Sequence, residues 1–89
     1  MIDVSSFDLN LLTVFCLVYT TGRVASAAQI LNISPSAVSQ SLKKLRTQFN
    51  DHLFVRNGNT LLPTLFATEL YQAADDIIMK VGLFLSKKS

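Results

Sequence analysis

Small hydroxyl and amide side chains stand just before a cluster of basic residues in the middle of this chain. Hydroxyl and amide groups can form hydrogen bonds with the edges of nucleic-acid bases, whereas lysine and arginine neutralise backbone phosphates. This order of residue types therefore indicates a surface that contacts nucleic acid. The polar residues are Ser34, Ser36, Ser39 and Gln40, and the bases are Lys43, Lys44, Arg46 and Arg56.

Charge is distributed unevenly along the chain, although the net charge of the 89 residues is only +2. Residues 1–22 and 57–79 contain acidic residues and no base, whereas residues 23–56 contain five bases against a single acid, Asp51. A localised basic stripe is the usual footprint of a protein that binds a phosphate backbone. Charge alone does not separate this interpretation from basic residues that merely solvate a helix.

Residues with catalytic or metal-binding chemistry are scarce. The chain has one histidine, His52, and one cysteine, Cys16, and neither lies near a pair of acids. We expect His52 to be a solvated loop residue and Cys16 to be a buried, unreactive thiol. Because no residues show metal-ligand spacing, the sequence predicts no enzyme, no metal site and no cofactor.

The composition predicts one small globular domain. Apolar residues make up 49% of the chain and charged residues 16%, a balance unlike that of a disordered protein. A domain this small is only marginally stable, so burial against a partner subunit would increase its stability. Because the apolar runs are too short for a transmembrane helix and the N-terminus lacks a basic signal-peptide start, we expect a cytoplasmic protein without membrane contact.

Two short helices are predicted before the polar run. Asp8 is a candidate N-cap for the first, over about 8–20, and Gly22 is a candidate end. The second, over about 23–31, should end at Asn32, with Ile33 pointing inward. The positions expected to face the core are Leu9, Leu12, Phe15, Cys16 and Tyr19 on the first helix and Val24, Ala27, Ala28 and Leu31 on the second.

The third helix is predicted to begin at the proline. Ser34 is a favoured N-cap, and Pro35 would occupy the first helical position, where its missing N–H costs nothing. This helix should run over about 35–49. Its inner face is expected to be Val38, Leu42, Leu45 and Phe49.

A hairpin and a long helix complete the pattern. Leu53–Val55 and Thr60–Leu62 read as short strands around the turn dipeptide Asn57-Gly58, and Pro63 ends the second strand. From Thr64 a helical pattern continues nearly to the end, with more apolar surface than the domain can cover itself. We therefore expect dimerisation through Leu70, Tyr71, Ala74, Ile77, Ile78, Val81, Phe84 and Leu85.

This order of elements predicts a mainly α fold, a winged helix-turn-helix of three helices plus a two-stranded wing. The helix-turn-helix would span about 25–44 and the wing about 53–63, within a DNA-binding domain over 1–63. A linker or dimerisation helix would occupy 64–89. In a helix-turn-helix the second helix places its N-terminal residues in the major groove of double-stranded DNA.

The stretches DLNLLTVF, ASAAQILNISPSAVSQSLKKLR and FNDHLFVRNGNTLLPT resemble the N-terminal DNA-binding domain of LysR-type transcriptional regulators. The resemblance covers roughly residues 7 to 86. It implies a bacterial regulator that binds DNA as a homodimer or tetramer. It also implies a C-terminal domain that binds a small-molecule effector; such a domain is absent from this chain, which we expect to be an excised fragment or a stand-alone domain.

The resemblance also implies positions for the DNA contacts. The recognition helix carries Ser34, Ser36, Ser39, Gln40 and Lys43, a phosphate contact is implied at Ser26, and the wing carries Arg56. The chain departs from the family's pattern after the wing, where Thr64-Leu65-Phe66-Ala67 replaces a typical T-x-A-G, and at three positions near the DNA contacts. Pro35 replaces a common glutamine that can read adenine, Asn59 replaces a common wing arginine, and Arg23 replaces a common serine. The full set expected to contact DNA is Ser26, Ser34, Pro35, Ser36, Ser39, Gln40, Lys43, Lys44, Arg46, Arg56, Asn57 and Asn59.

The alternative interpretation is a dimeric helical adaptor that binds proteins and not DNA. An adaptor has no need for its bases to cluster around the third helix. DNA binding measured against salt concentration separates the two hypotheses, because phosphate contacts release counterions.

Overall fold

A computed structural model of the chain describes residues 7–87; the first six residues of the predicted 1–63 domain and the last two of the predicted 64–89 helix lie outside the described part. The observed order confirms the predicted mainly α, winged helix-turn-helix architecture. The elements are α1 (Asn10–Thr21), α2 (Val24–Leu31), α3 (Pro35–Phe49), β1 (Phe54–Asn57), β2 (Thr60–Pro63) and α4 (Leu65–Ser86).

Helix α3 begins and ends where the sequence predicts. The Ser34 hydroxyl accepts a hydrogen bond from the Ala37 N–H at 3.1 Å, and Pro35 occupies the first turn. This cap satisfies an N–H that would otherwise lack an intrahelical partner. Asn32 ends α2 as predicted and has a positive φ of 57°.

Helix α1 begins two residues later than predicted. The Asp8 carboxylate still accepts a hydrogen bond from the Asn10 N–H at 2.9 Å, so it holds the chain at the entry to the helix. Gly22 ends α1 with a φ of 73°, as predicted. Its carbonyl accepts the Leu61 N–H at 2.8 Å, which ties the hairpin to the loop before α2.

Two apolar clusters form the core. The first joins α1, α2 and α3 through Val14, Val18, Ala27, Ala28, Val38 and Leu42. The second joins α1, the end of α3 and the start of α4 through Leu11, Phe15, Leu45, Leu53 and Ala67. The half-buried Phe54 ring packs against both clusters, so the hairpin is attached to the whole core.

Two expectations about inward-facing residues are wrong. Leu9 is 63% exposed, and the buried face of α1 consists of Leu11, Val14, Phe15 and Val18. The reason is that α1 contacts α2, α3, α4 and β2, so several of its faces are covered and its apolar residues do not mark a single stripe. Ile33 is 41% exposed, because the turn places it at the surface and Val38 fills the interior.

The hairpin differs from the prediction by one residue at its turn. Asn57 pairs with Thr60, so the two-residue loop is Gly58-Asn59 and not Asn57-Gly58. Gly58 has a φ of 62° and Asn59 does not have a positive φ, which is the φ pattern of a type II′ turn. The predicted strand residue Leu53 instead lies before β1, fully buried, with a φ of 65°.

A small hydrogen-bond network holds Leu53 in this unusual conformation. The Leu53 N–H donates to Asp51 Oδ1 at 2.8 Å, and its carbonyl accepts the Thr64 N–H at 2.9 Å. The Thr64 hydroxyl donates to the same Asp51 oxygen at 2.8 Å and accepts the Ala67 N–H as the N-cap of α4. We call Asp51, Leu53 and Thr64 the junction network, because it connects the end of α3, the hairpin and α4.

Helix α4 leaves the core after its first half. Its only buried residues are Ala67 and Ala74, and the apolar side chains from Ile77 onward are exposed. None of the helices within residues 7–87 combines the length and the hydrophobicity needed to cross a membrane.

Candidate nucleic-acid interface

The N-terminal half of α3 presents its polar side chains to solvent. Val38 and Leu42 turn inward, and this fixes which residues point out. The outward set contains most of the sequence-predicted contacts, all exposed: Ser34, Pro35, Ser36, Ser39, Gln40, Lys43, Lys44 and Arg46. No acidic residue occurs on α3, so this surface has no internal counter-charge.

Helix α2 and the hairpin flank this surface. Ser26 is half-buried on α2, and Arg56, Asn57 and Asn59 are exposed on the hairpin. Hydrogen bonding from Leu61 to Gly22 holds the hairpin beside the start of α2. The structure therefore places the predicted wing residues next to the helix-turn-helix and not at a remote edge.

Three concave regions border α3. Gln40, Lys43 and Lys44 line one together with Asp8 and Leu11 of the α1 side. On the opposite side, Ser39, Lys43 and Arg46 line another that extends to Asp51 and His52. A smaller pocket of about 160 Å3 lies between α3 and the hairpin, with Arg46, His52 and Arg56 in its wall.

Two basic side chains near this surface are absent from the predicted contact set. His52 was expected to be a solvated loop residue, and it is exposed, but it lies in the same pocket as Arg46 and Arg56. Arg23 precedes α2 and borders a concavity of about 240 Å3 with Arg56 and Asn59. The clustering of bases in residues 23–56 could have pointed to Arg23, but no local spacing marks His52.

Cys16 carries no sign of a reactive thiol. Its side chain is half-buried and packs against the second core cluster. Burial, and to a smaller extent the Asp75 carboxylate, raises the pKa of the Cys16 thiol above its ordinary value. A raised pKa keeps the sulfur protonated near neutral pH, and the protonated thiol is a poor nucleophile.

The residues predicted for dimerisation divide into two groups. Leu70 and Tyr71 are half-buried against the second core cluster, where the Tyr71 ring stacks on Tyr19 with centroids 4.0 Å apart, and Ala74 is buried. Burial, followed by the charge of Asp75, raises the pKa of the Tyr71 hydroxyl. The second group is exposed at 48–73% of each side chain and consists of Ile77, Ile78, Val81, Phe84 and Leu85.

An apolar groove of about 440 Å3 runs between α1 and the second half of α4. Leu9 and Leu12 form one wall, and Ile77, Val81 and Leu85 form the other. The exposed position of Leu9, which the sequence pattern did not predict, is therefore beside the exposed half of α4. Within residues 7–87 no group of histidine, cysteine or acidic side chains is arranged to hold a metal ion.

A family model described as the bacterial regulatory helix-turn-helix protein, lysR family, matches residues 9–68. The HTH-type transcriptional regulator YbeF of Escherichia coli K12 is 49% identical over 67 residues, which are 75% of this chain and 21% of that protein. The regulator YidZ of Citrobacter koseri is 40% identical over 85 residues, 96% of this chain and 27% of that protein. The chain thus spans only about a quarter of the length of these relatives.

Solved structures show the same architecture. The probable transcriptional regulator PA0477 of Pseudomonas aeruginosa superposes with a TM-score of 0.88 at 38% identity, covering 97% of this chain and 29% of that one. The chain in the CbnR_DBD–DNA complex superposes with a TM-score of 0.80 at 20% identity, covering 92% of this chain and 94% of that one. The second likeness supports the fold only.

Proposed function

The chain belongs to the lysR family of bacterial regulatory helix-turn-helix proteins, and from this premise we propose that it binds double-stranded DNA with α3 in the major groove. The observation that carries the proposal is the exposed, acid-free face of α3. Its first turn offers hydroxyl groups, and its later turns offer lysine and arginine. Phosphate contacts position such a helix, and the polar groups near its start read bases.

Base reading is assigned to the first two turns of α3. Ser36, Ser39 and Gln40 are exposed there, and the Gln40 amide can donate and accept hydrogen bonds at an adenine edge. Pro35 offers only apolar contact, because it has no N–H and no polar side chain. Sequence preference should therefore depend most on Gln40.

Phosphate binding is assigned to the bases around this reading surface. Lys43 and Lys44 extend from α3, and Ser26 faces the backbone from α2. The wing contributes Arg56, Asn57 and Asn59, which lie close enough to the helix-turn-helix to follow the DNA toward the next groove. Asn59 carries no charge, so we expect the tip of the wing to add less affinity than an arginine there would.

We further propose that the chain forms a homodimer through the exposed half of α4. The support is the row of uncovered apolar side chains and the groove that they form with Leu9 and Leu12 of α1. A second copy would cover this surface on both subunits and set the distance between two recognition helices. We also propose a role in transcription regulation and a cytoplasmic location, and we propose that tetramers and control by a small-molecule effector occur in a full-length protein with a C-terminal effector domain.

The proposal excludes enzymatic activity and competes with the adaptor hypothesis. The relatives that match the chain are described as transcriptional regulators, which supports regulation by DNA binding. The exposed half of α4 fits either function, because both need a dimer. Among the structural features, the basic surface around α3 favours DNA binding over the adaptor.

Binding to duplex DNA tests the function directly. Affinity for a mixed-sequence duplex, followed by fluorescence anisotropy, should fall steeply as salt rises from about 50 to 200 mM. Lys43→Ala should weaken binding to all sequences and reduce the salt slope by about one. No binding to any duplex at low salt would leave the adaptor as the better explanation.

Selection of bound sites from a random DNA pool tests the assignment of base reading. Gln40→Ala should change the selected sequence and cost about 1–3 kcal/mol on the wild-type site. Lys80→Ala, on an exposed position of α4, is the matched control and should select the wild-type sequence. If the Gln40 variant lost affinity but selected the same sequence, Gln40 would be a positioning residue and not a reader of bases.

A further inference from the structure

The pocket between α3 and the hairpin gathers basic side chains from three different parts of the chain. Arg46 comes from the last turns of α3, His52 from the segment that follows, and Arg56 from β1. Ser39 adds a hydroxyl group to the same wall. The volume is about 160 Å3, so these groups surround a small space and do not spread over a broad face.

The pocket contains no acid that could balance these bases. Arg46 Nε donates to the Leu42 carbonyl at 3.4 Å, and within residues 7–87 the side chains of His52 and Arg56 have no hydrogen-bond or ion-pair partner. Asp51 does not line this pocket; it lines the neighbouring concavity with Arg46 and His52, and its Oδ1 accepts two hydrogen bonds in the junction network. Two arginines held around one space repel each other unless an anion lies between them.

The remainder of the pocket wall is apolar. It is formed by Val24, Leu42, Phe54 and Leu61, all at least partly buried. Charge interactions beside such a surface are screened less than in open water. Arg46, His52 and Arg56 are themselves exposed, so an anion can reach them from solvent.

The position of the pocket identifies the anion. It lies between the helix assigned to the major groove and the wing assigned to the neighbouring groove. A DNA strand separates two such grooves, so the strand has to cross this point. Arg56 also borders the next concavity, with Arg23 and Asn59, and this continues the basic surface along the same direction.

We propose that the pocket holds one backbone phosphate of the bound DNA, shared by Arg46, His52 and Arg56. The proposal rests on the DNA-binding function proposed above. The backbone at His52 is held by a tight three-residue turn, in which the Phe54 N–H donates to the His52 carbonyl at 2.7 Å across Leu53. This turn fixes the backbone at His52, whose side chain lines the pocket together with the two arginines.

Sharing of one phosphate has a measurable signature. The dependence of affinity on salt is measured for a mixed-sequence duplex with the whole 89-residue chain. The double variant Arg46→Gln, Arg56→Gln should lose about 0.9 from the slope of log K against log salt, the contribution of one phosphate. Each single variant should lose less, because the remaining arginine still neutralises the phosphate.

Two outcomes would overturn the sharing. A loss of about 1.8 in the double variant would mean two separate phosphates, and an unchanged slope would mean none. The double variant Arg46→Lys, Arg56→Lys should keep the wild-type slope, which separates a loss of charge from a loss of structure. Lys80→Ala is the control outside the pocket. If the wild-type chain bound no duplex at all, the proposed function itself would be wrong. If the wild-type chain bound DNA and the pocket variants kept the wild-type salt slope, only the phosphate pocket would be wrong.

His52 is tested by substitution, because an imidazole N–H in the pocket wall can donate a hydrogen bond to the phosphate. His52→Ala should weaken binding to the same duplex, whereas Lys80→Ala, outside the pocket, should not. Unchanged affinity in the His52 variant would remove His52 from the phosphate site.

Discussion

Helix α3 and the second half of α4 use their apolar side chains in opposite ways. Helix α3 buries Val38, Leu42 and Leu45 inside the chain, so the surface that remains is polar and basic. The second half of α4 buries no residue and exposes Ile77, Phe84 and their neighbours. Helix α3 therefore covers its apolar side chains within one chain, and the exposed apolar side chains of α4 support the proposal that this helix pairs with a second copy.

This comparison separates two sources of stability. Burial within the chain stabilises the fold at any protein concentration. Burial between two chains contributes only when they associate, so its contribution depends on concentration. Substitutions in α3 should therefore lower stability at any protein concentration, whereas substitutions in the second half of α4 should change how stability depends on concentration.

The largest effect is expected from Leu45→Ala. Leu45 is fully buried where α1, α3 and α4 meet, and truncation would leave a cavity that costs about 2–5 kcal/mol of unfolding free energy. Urea denaturation measures this loss. Leu83→Ala, at a position that is 65% exposed, is the matched control and should change the stability of the isolated monomer by less than about 0.5 kcal/mol. If both substitutions lowered the free energy of unfolding equally, the contrast between a buried face on α3 and an uncovered face on α4 would be wrong.

Ile77→Asp tests the dependence of α4 on a partner. An aspartate placed in an apolar interface without a partner group costs more than about 2 kcal/mol, so the dimer should dissociate. Sedimentation should then give a monomer, and the melting temperature should no longer rise with protein concentration. Gln72→Asp introduces the same charge at another exposed position of α4. A dimer that persists in the Ile77 variant would contradict the proposed interface.

A smaller effect is expected where the two regions meet. Asp51→Ala removes the acceptor for the Leu53 N–H and the Thr64 hydroxyl, and the unpaired N–H of a residue with positive φ should cost about 1–3 kcal/mol. Thermal or urea unfolding measures the loss, with the exposed Asp76→Ala as control. If both substitutions cost the same, the hydrogen bonds of the junction network would not be stabilising the connection.

The parts of the fold that the sequence predicted are those with local signals. Ser34 and Pro35 define the start of α3 by capping and by the fixed φ of proline, and the spacing of Val38, Leu42 and Leu45 defines its inner face. The inner face of α1 was predicted only in part: Phe15 is buried as expected but Leu9 is exposed, because that helix is covered on several sides. Its orientation depends on contacts with elements far along the chain, which its own periodicity does not contain.

In the candidate site, too, the features with local sequence signals were predictable and those that depend on tertiary packing were not. The outward direction of Ser36, Ser39 and Gln40 follows from the inner stripe of α3 and was predictable. The pocket that joins Arg46, His52 and Arg56 was not, because it depends on the positive φ of Leu53 and on the tie between Gly22 and Leu61. Both features arise from tertiary packing, so no residue spacing in the sequence reveals them.

The junction network has a mechanical consequence. Thr64 begins α4, and the same residue is bonded to Asp51 at the end of α3 and to Leu53 before the wing. Helix α4 is therefore joined by hydrogen bonds to both the α3 end and the hairpin, the parts proposed to contact DNA. In the proposed dimer, a tilt of α4 would turn α3 and the hairpin with it, so the angle between the two α4 helices would set the distance between the two DNA-contacting surfaces along a duplex.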